Sequence, residues 1–265
     1  MTIHEIDTNQ PIGEDQLQNE DSIQVQPNGM PGYLRILALI VVFTASISAG
    51  PAIAWLVARW YGNVIVGQPI GILDFPAHAP WGLGVLLLCL QSGMLVAWPI
   101  ATELGCWLPS WERVSQRGSA IRLVVILWCA IWGVSVGWGL LSGLLGIEPP
   151  QEQDILLGLL DLPIAHQIWT AIVIVFAPAL AEELLFRRII FRVLEEQYGL
   201  GLGLTVSSLA FALVHWNPTG FLLYFAIGAC AGYAYYRTGQ FWTAVSIHAL
   251  NNALAVGLLL AGVQG

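Results

Sequence analysis

Ile164-Ala-His-Gln-Ile-Trp-Thr-Ala-Ile-Val-Ile-Val-Phe-Ala-Pro178-Ala-Leu-Ala-Glu182-Glu183-Leu-Leu-Phe-Arg187 is an apolar run that ends in two adjacent carboxylates. Residues 164–181 contain no Asp, Glu, Lys or Arg. A membrane-spanning helix needs about 20 mostly apolar residues, so the run reads as a transmembrane helix. An ionisable side chain at the centre of such a helix costs about 2.5–3.5 kcal/mol on insertion scales. Two side by side imply a use, and they make the chain a candidate membrane enzyme.

The rest of the 265-residue chain agrees. It is 57% hydrophobic and 10% charged. Soluble domains carry about 25% charged residues, so the deficit indicates an integral membrane protein. Residues 1–32 carry Glu5, Asp7, Glu14, Asp15, Glu20 and Asp21 and no Arg. This polar stretch has no hydrophobic period and is expected to be a disordered acidic tail. It lacks the basic start of a signal peptide, and its acidity argues against nucleic acid as a partner. Cys89, Cys106, Cys129 and Cys230 form no CxxC pair; they are expected to be small, buried apolar residues, with no disulfide or metal role.

Seven stretches are spans or nearly so: 36–58, 83–102, 121–146, 165–187, 202–217, 220–237 and 241–262. With the N-terminus in the cytoplasm, Arg35, Arg113, Arg117, Arg122, Arg188, Arg192 and Arg237 fall at cytoplasmic ends or loops, and only Arg59 falls outside. The connection 147–163, with Glu148, Glu152, Asp154 and Asp161, then lies outside. That asymmetry follows the positive-inside rule. The expected fold is an all-α polytopic membrane protein, a bundle of about seven transmembrane helices, N-in and C-out. The expected setting is a bacterial cytoplasmic or organellar-type membrane. The expected division is an acidic tail (1–32), N-terminal transmembrane helices (33–150) and a C-terminal catalytic membrane region (151–265). Gly133-x-x-x-Gly137 and Gly139-x-x-x-Gly143 in the third span, and Gly228-x-x-x-Gly232 in the sixth, are expected to serve packing within the bundle rather than a dimer face.

More polar groups interrupt the later spans: His215 in Phe211-Ala-Leu-Val-His215, and His248 and Asn252 in His248-Ala-Leu-Asn-Asn252. Residues four apart share a helix face, so His248 and Asn252 can line one cavity while Asn251 points elsewhere. Glu183 and Arg187 can pair by the same spacing, which leaves Glu182 without that partner. A poorly solvated carboxylate holds a proton more readily than one in water, which suits a general base toward water. A histidine beside it could share the water, and a second histidine with an amide could stabilise an oxyanion. Singly, each group has a plain reading, as a helix-end cap, a core histidine or polar glue between helices. Jointly, three spans contribute complementary groups, which favours a hydrolase. His4, His78 and His166 are expected to have no role, and Glu103 is expected to be a solvated interfacial acid.

The series Glu-Glu-x-x-x-Arg, Phe-x-x-x-His and His-x-x-x-Asn resembles the CAAX prenyl protease and bacteriocin-processing (CPBP) family of intramembrane proteases. The resemblance covers about residues 165–262. It implies an all-helical core around a cavity, and hydrolysis of a peptide bond in a membrane-embedded or lipidated peptide. It implies that Glu182 and His215 activate water, that His248 and Asn252 hold the oxyanion, and that Glu183 and Arg187 orient the site. The family has been described as metalloproteases. The chain has no His-Glu-x-x-His pair, but zinc remains chemically open through Glu182, His215 and His248. A metal-free glutamate mechanism is favoured, with no cofactor. The rival readings are a non-catalytic scaffold or bacteriocin-immunity protein on the same fold, and a proton or ion transporter. Transport is disfavoured because every mid-span acid lies on one helix.

Depth is the point of tension. Six residues at about 1.5 Å each put Glu182 about 9 Å on the membrane side of Arg188. His215, counted from the start of its own span, lies much deeper unless that short span tilts or begins below the surface.

Overall fold

Residues 30–109, 116–147 and 157–262 are described by a computed structural model. Most of the acidic tail, together with Trp111, Arg113, Glu148, Glu152 and Asp154, lies outside them. Among the described residues the fold is all-helical. Helix α1 is Gly32–Tyr61, followed by a π-helical turn Gly62–Val66. A short α2, Phe75–His78, leads to α3, Gly82–Leu95, and α4, Ala97–Glu103. Helix α5 is Arg117–Leu145 and α6 is Ile164–Glu183. A π-helical segment, Leu184–Phe191, continues directly into α7, Arg192–Val214. The last two helices are α8, Phe221–Thr238, and α9, Phe241–Leu260.

Five segments are long and apolar enough to cross a membrane: Gly32–Val66, Gly82–Glu103, Arg117–Leu145, Ile164–Val214 and Phe241–Leu260. The protein is therefore a polytopic α-helical membrane protein. The fourth segment holds two of the expected spans, because it doubles back at Gly199. The expected span 220–237 is α8, which is outside that set of five. Side chains such as Leu56, Leu140 and Leu144 point outward, as lipid-facing residues do.

The reversal at Gly199 positions the site. Its backbone, φ 82° and ψ 169°, lies in a region open almost only to glycine. The two arms then pack antiparallel in a clear register. Gly203 rests on the backbone of Glu195, the Phe211 ring meets Phe186 edge-on at 5.3 Å, and His215 faces Glu182. Seventeen residues separate Glu182 from Gly199 and sixteen separate Gly199 from His215. Both groups therefore stand roughly 25 Å from the turn, at about 1.5 Å per residue.

This removes the tension over depth and corrects its premise. Arg188 is not the solvated interfacial residue that the count assumed. It is buried, donates to the Leu108 carbonyl at 2.7 Å and sits 4.0 Å over the Trp107 ring. Helix continues well past it, so a count from Arg188 does not measure the depth of Glu182.

The main core forms around the π-helical segment, where Leu185, Phe186, Ile189 and Phe191 are fully buried against Val42, Phe211, Tyr235 and Ile247. Helix α3 is wedged between α1 and α6. A side chain at Gly50 or Gly93 would overlap the facing backbone, and one at Gly84 would overlap Trp169. Pro99 has no N–H for the Leu95 carbonyl, and the α3–α4 break falls at Val96, just before it.

The two small-residue motifs part company. Gly228 packs on Ser208 and Arg187, and Gly232 on Leu204, as expected. Gly133, Gly137, Gly139 and Gly143 are exposed with nothing against them, so packing within the bundle does not explain them. Helix α5 meets α8 and α9 through other residues, Ile131 among them. Cys129 on the same helix is also exposed, contrary to expectation, while Cys106 is buried; all four cysteines are free thiols.

Candidate active site

The end of α6 delivers its two carboxylates to different surroundings. Glu183 is fully buried. One of its oxygens is 3.1 Å from Arg187 Nε, the i,i+4 ion pair read from spacing. The contact is a charge pair rather than an aligned hydrogen bond, since both atoms lack a hydrogen-bond partner. The other oxygen is 2.9 Å from His248 Nδ1 on α9. The buried Arg187 guanidinium lies 4.5 Å over the Phe211 ring. Glu183 is thus held between a cation and an imidazole.

Glu182 is 6% exposed and turns the other way. Its Oε1 accepts a hydrogen bond from Gln91 Nε2 of α3 at 3.0 Å. Its Oε2 is a buried acceptor without a hydrogen-bond partner, 3.9 Å from His215 Nε2 and 4.0 Å from His248 Nε2. Three helices therefore aim three polar atoms at one point.

The histidine rings are oriented by their second nitrogens. His215 Nδ1 is 2.7 Å from the Phe211 carbonyl, which can only accept. The neutral ring thus carries its hydrogen on Nδ1 and presents a lone pair at Nε2. Tyr224 of α8 stacks on that ring with centroids 4.0 Å apart. Phe211 meets the His248 ring edge-on at 5.5 Å, so one phenylalanine supports both histidines and Arg187.

Asn252 lines the same cavity, but its Nδ2 donates to the Ile174 carbonyl at 3.1 Å. Pro178 stands four residues after Ile174 and offers that carbonyl no N–H. Asn252 thus binds α9 to the point where the proline interrupts α6. Asn251 borders the cavity as well, contrary to the expectation from spacing, and its Nδ2 donates to the Ile247 carbonyl at 2.8 Å.

Gln91, Glu182, His215, Tyr224, His248 and Asn252 border a cavity of about 760 Å³, whereas Glu183, Arg187 and Phe211 do not line it. Its walls are mainly apolar and include Ile47 and Pro51 of α1, Ile131 of α5 and Leu223 of α8, so the N-terminal helices help enclose it. Trp216, directly after His215, is 91% exposed, has a positive φ of 50° and also borders it.

The donor set Glu182, His215 and His248 is chemically suited to zinc. Tetrahedral ligands about 2.0–2.1 Å from zinc stand roughly 3.3 Å apart. The separations of 3.9 and 4.0 Å are wider. Among the described residues, no three His, Cys, Asp or Glu close to a metal-holding arrangement.

Sequence reasoning missed Gln91, Tyr224 and the Ile174 carbonyl. Gln91 had a visible signal, an amide in an otherwise apolar span beside Ser92. The other two depend on tertiary contacts.

Residues 164–254 match the family model described as type II CAAX prenyl endopeptidase Rce1-like. The chain is 25% identical over 198 residues to the Bacillus subtilis (strain 168) protein named "Putative membrane peptidase YdiL", spanning 75% of this chain and 79% of that protein. No solved structure matches it significantly. Residues 164–254, which hold all three motifs, are thus similar to the type II CAAX prenyl endopeptidases, and most of the chain is similar to a protein named as a membrane peptidase.

Proposed function

We propose that the chain is an intramembrane endopeptidase that hydrolyses a peptide bond of a membrane-embedded or lipidated substrate with a glutamate-activated water. The observation that carries this reading is the aim of Glu182 Oε2, His215 Nε2 and His248 Nε2 at one point on an apolar cavity. A water there meets lone pairs on Glu182 and His215 and can donate to both. Glu182 takes one proton as the oxygen attacks the substrate carbonyl, and later returns it to the leaving amine.

The negative charge on the carbonyl oxygen then needs donors. His248, whose Nδ1 lies 2.9 Å from Glu183, supplies an N–H from Nε2 when its ring is doubly protonated. The second N–H of Asn252 is a further donor, the first being held by Ile174. The wide spacing of the three donors is why we favour the metal-free route over zinc.

The test is a peptidase assay in liposomes with a panel of lipidated and unlipidated membrane peptides. Wild type should cleave, and Glu182→Ala and His215→Ala should not. Cleavage that survives Glu182→Ala would sink the mechanism. Stoichiometric zinc in the purified protein, lost in His248→Ala, would overturn the metal-free route.

A further inference from the structure

Gln91 reaches Glu182 from outside the segment that carries all three motifs. It lies on α3, which is closely seated on both sides: Gly93 against the backbone of Gly50 of α1, and Gly84 against the side chains of Trp169 and Thr170 of α6. These contacts fix the height and rotation of Gln91 relative to Glu182. The bond runs from Gln91 Nε2 to Glu182 Oε1 at 3.0 Å. A carboxylate oxygen only accepts, so the amide must turn its NH₂ group toward it; flipped, two acceptors would oppose each other. Oε1 is thereby engaged, and Oε2 is the oxygen left facing both histidine Nε2 atoms.

We propose that Gln91 is a positioning residue that holds the Glu182 carboxylate by Oε1, so that Oε2 is the oxygen that accepts the proton of the attacking water. This rests on the reading of Glu182 as the base. The N-terminal helices then complete the reaction centre instead of merely surrounding it.

Gln91→Met keeps the length of the side chain and removes the donor. A misplaced reacting group can cost about a hundredfold, so kcat should fall roughly 10–100-fold while KM stays within about twofold. A second readout needs no substrate. The infrared difference between wild type and Glu182→Gln isolates the carboxylate stretching bands of Glu182. Gln91→Met should shift those bands, because one oxygen has lost its donor. A merely structural role would lower thermal stability and activity together and leave the bands in place.

Unshifted bands with unchanged kcat overturn the proposal. Should Gln91→Met not fold, Gln91→Asn, one methylene too short to reach, must show the same shift, and wild-type bands in it would overturn the proposal equally. Cleavage abolished by Glu182→Ala but untouched by Gln91→Met defeats the role of Gln91 alone. Cleavage that survives Glu182→Ala defeats the role of Glu182 as base, and with it the catalytic role of Gln91, even with the bands shifted.

Discussion

At the end of α6, two faces of one helical turn carry the same side chain into opposite conditions. The face of Glu183 is closed, with the Arg187 cation 3.1 Å from one oxygen and His248 on the other, and it is fully buried. The face of Glu182 borders the cavity, with one oxygen held by Gln91 and the other unengaged. A carboxylate whose oxygens are both committed to fixed partners is poorly placed to take a proton from water. A carboxylate with one held oxygen and one open oxygen is aimed and available. On the proposed mechanism, the adjacent glutamates divide support and chemistry between them.

The largest effect should separate the two faces by activity. Glu182→Gln keeps the shape and the Gln91 neighbour but removes the base. Proton transfer by a positioned group contributes about 10²–10⁴-fold, so peptidase turnover should fall by roughly that factor. The thermal midpoint in detergent should stay near that of wild type. A large drop in stability would show that the Glu182 face is also structural, and the contrast would collapse.

Glu183→Leu should do the reverse. It leaves the Arg187 guanidinium buried without its counter-charge. Removing one partner of a buried ion pair costs about 3–5 kcal/mol. We expect poor folding yield and a markedly lower thermal midpoint, with activity lost as a consequence. The double variant Glu183→Leu with Arg187→Met should regain much of that stability, since no unpaired charge then remains. Regained stability without regained turnover would assign to Glu183 a further role in supporting His248.

Much of this was legible from spacing. The pairing of Glu183 with Arg187 follows from helical periodicity, because residues on one helix keep their relation whatever surrounds them, whereas spacing did not foresee that Asn251 also borders the cavity. Depth was not legible. It depended on where the helix ends, and Arg188 looked like a surface marker because arginine is normally solvated. Its burial against Leu108 and Trp107 is a tertiary fact. The π-helical segment after Glu183 was equally hidden, since Leu184–Phe191 reads as ordinary apolar helix. The exposed glycines of α5 show the opposite failure, a local pattern that tertiary packing did not use.

Gly199 tests whether the two faces stay level with His215. Its φ of 82° with ψ of 169° is strained for any side chain, at about 1–3 kcal/mol. Gly199→Ala should lower stability by that order. It should also reduce turnover beyond the loss of folded protein, because a shift at the turn is carried along the arm to His215. Turnover that merely tracks the folded fraction would mean that the Phe211 and Tyr224 contacts hold His215 without help from the turn.

The smallest expected effect concerns Asn252, and it asks whether α9 supports the structure or serves the chemistry. Its hydrogen bond to the Ile174 carbonyl is worth about 0.5–1.5 kcal/mol net. Asn252→Ala should cost that much in stability. Pro178→Ala restores an N–H four residues after Ile174, so the carbonyl regains an internal partner. If Asn252 acts mainly by satisfying that carbonyl, the double variant should recover the stability lost in Asn252→Ala and most of its turnover. If its second N–H also holds the oxyanion, stability should return while kcat stays low. A thermal-unfolding series run beside single-turnover rates on the four proteins separates the two. Recovery of stability alone would extend the chemical face of α6 to α9, and recovery of both would confine it to Glu182 and the two histidines.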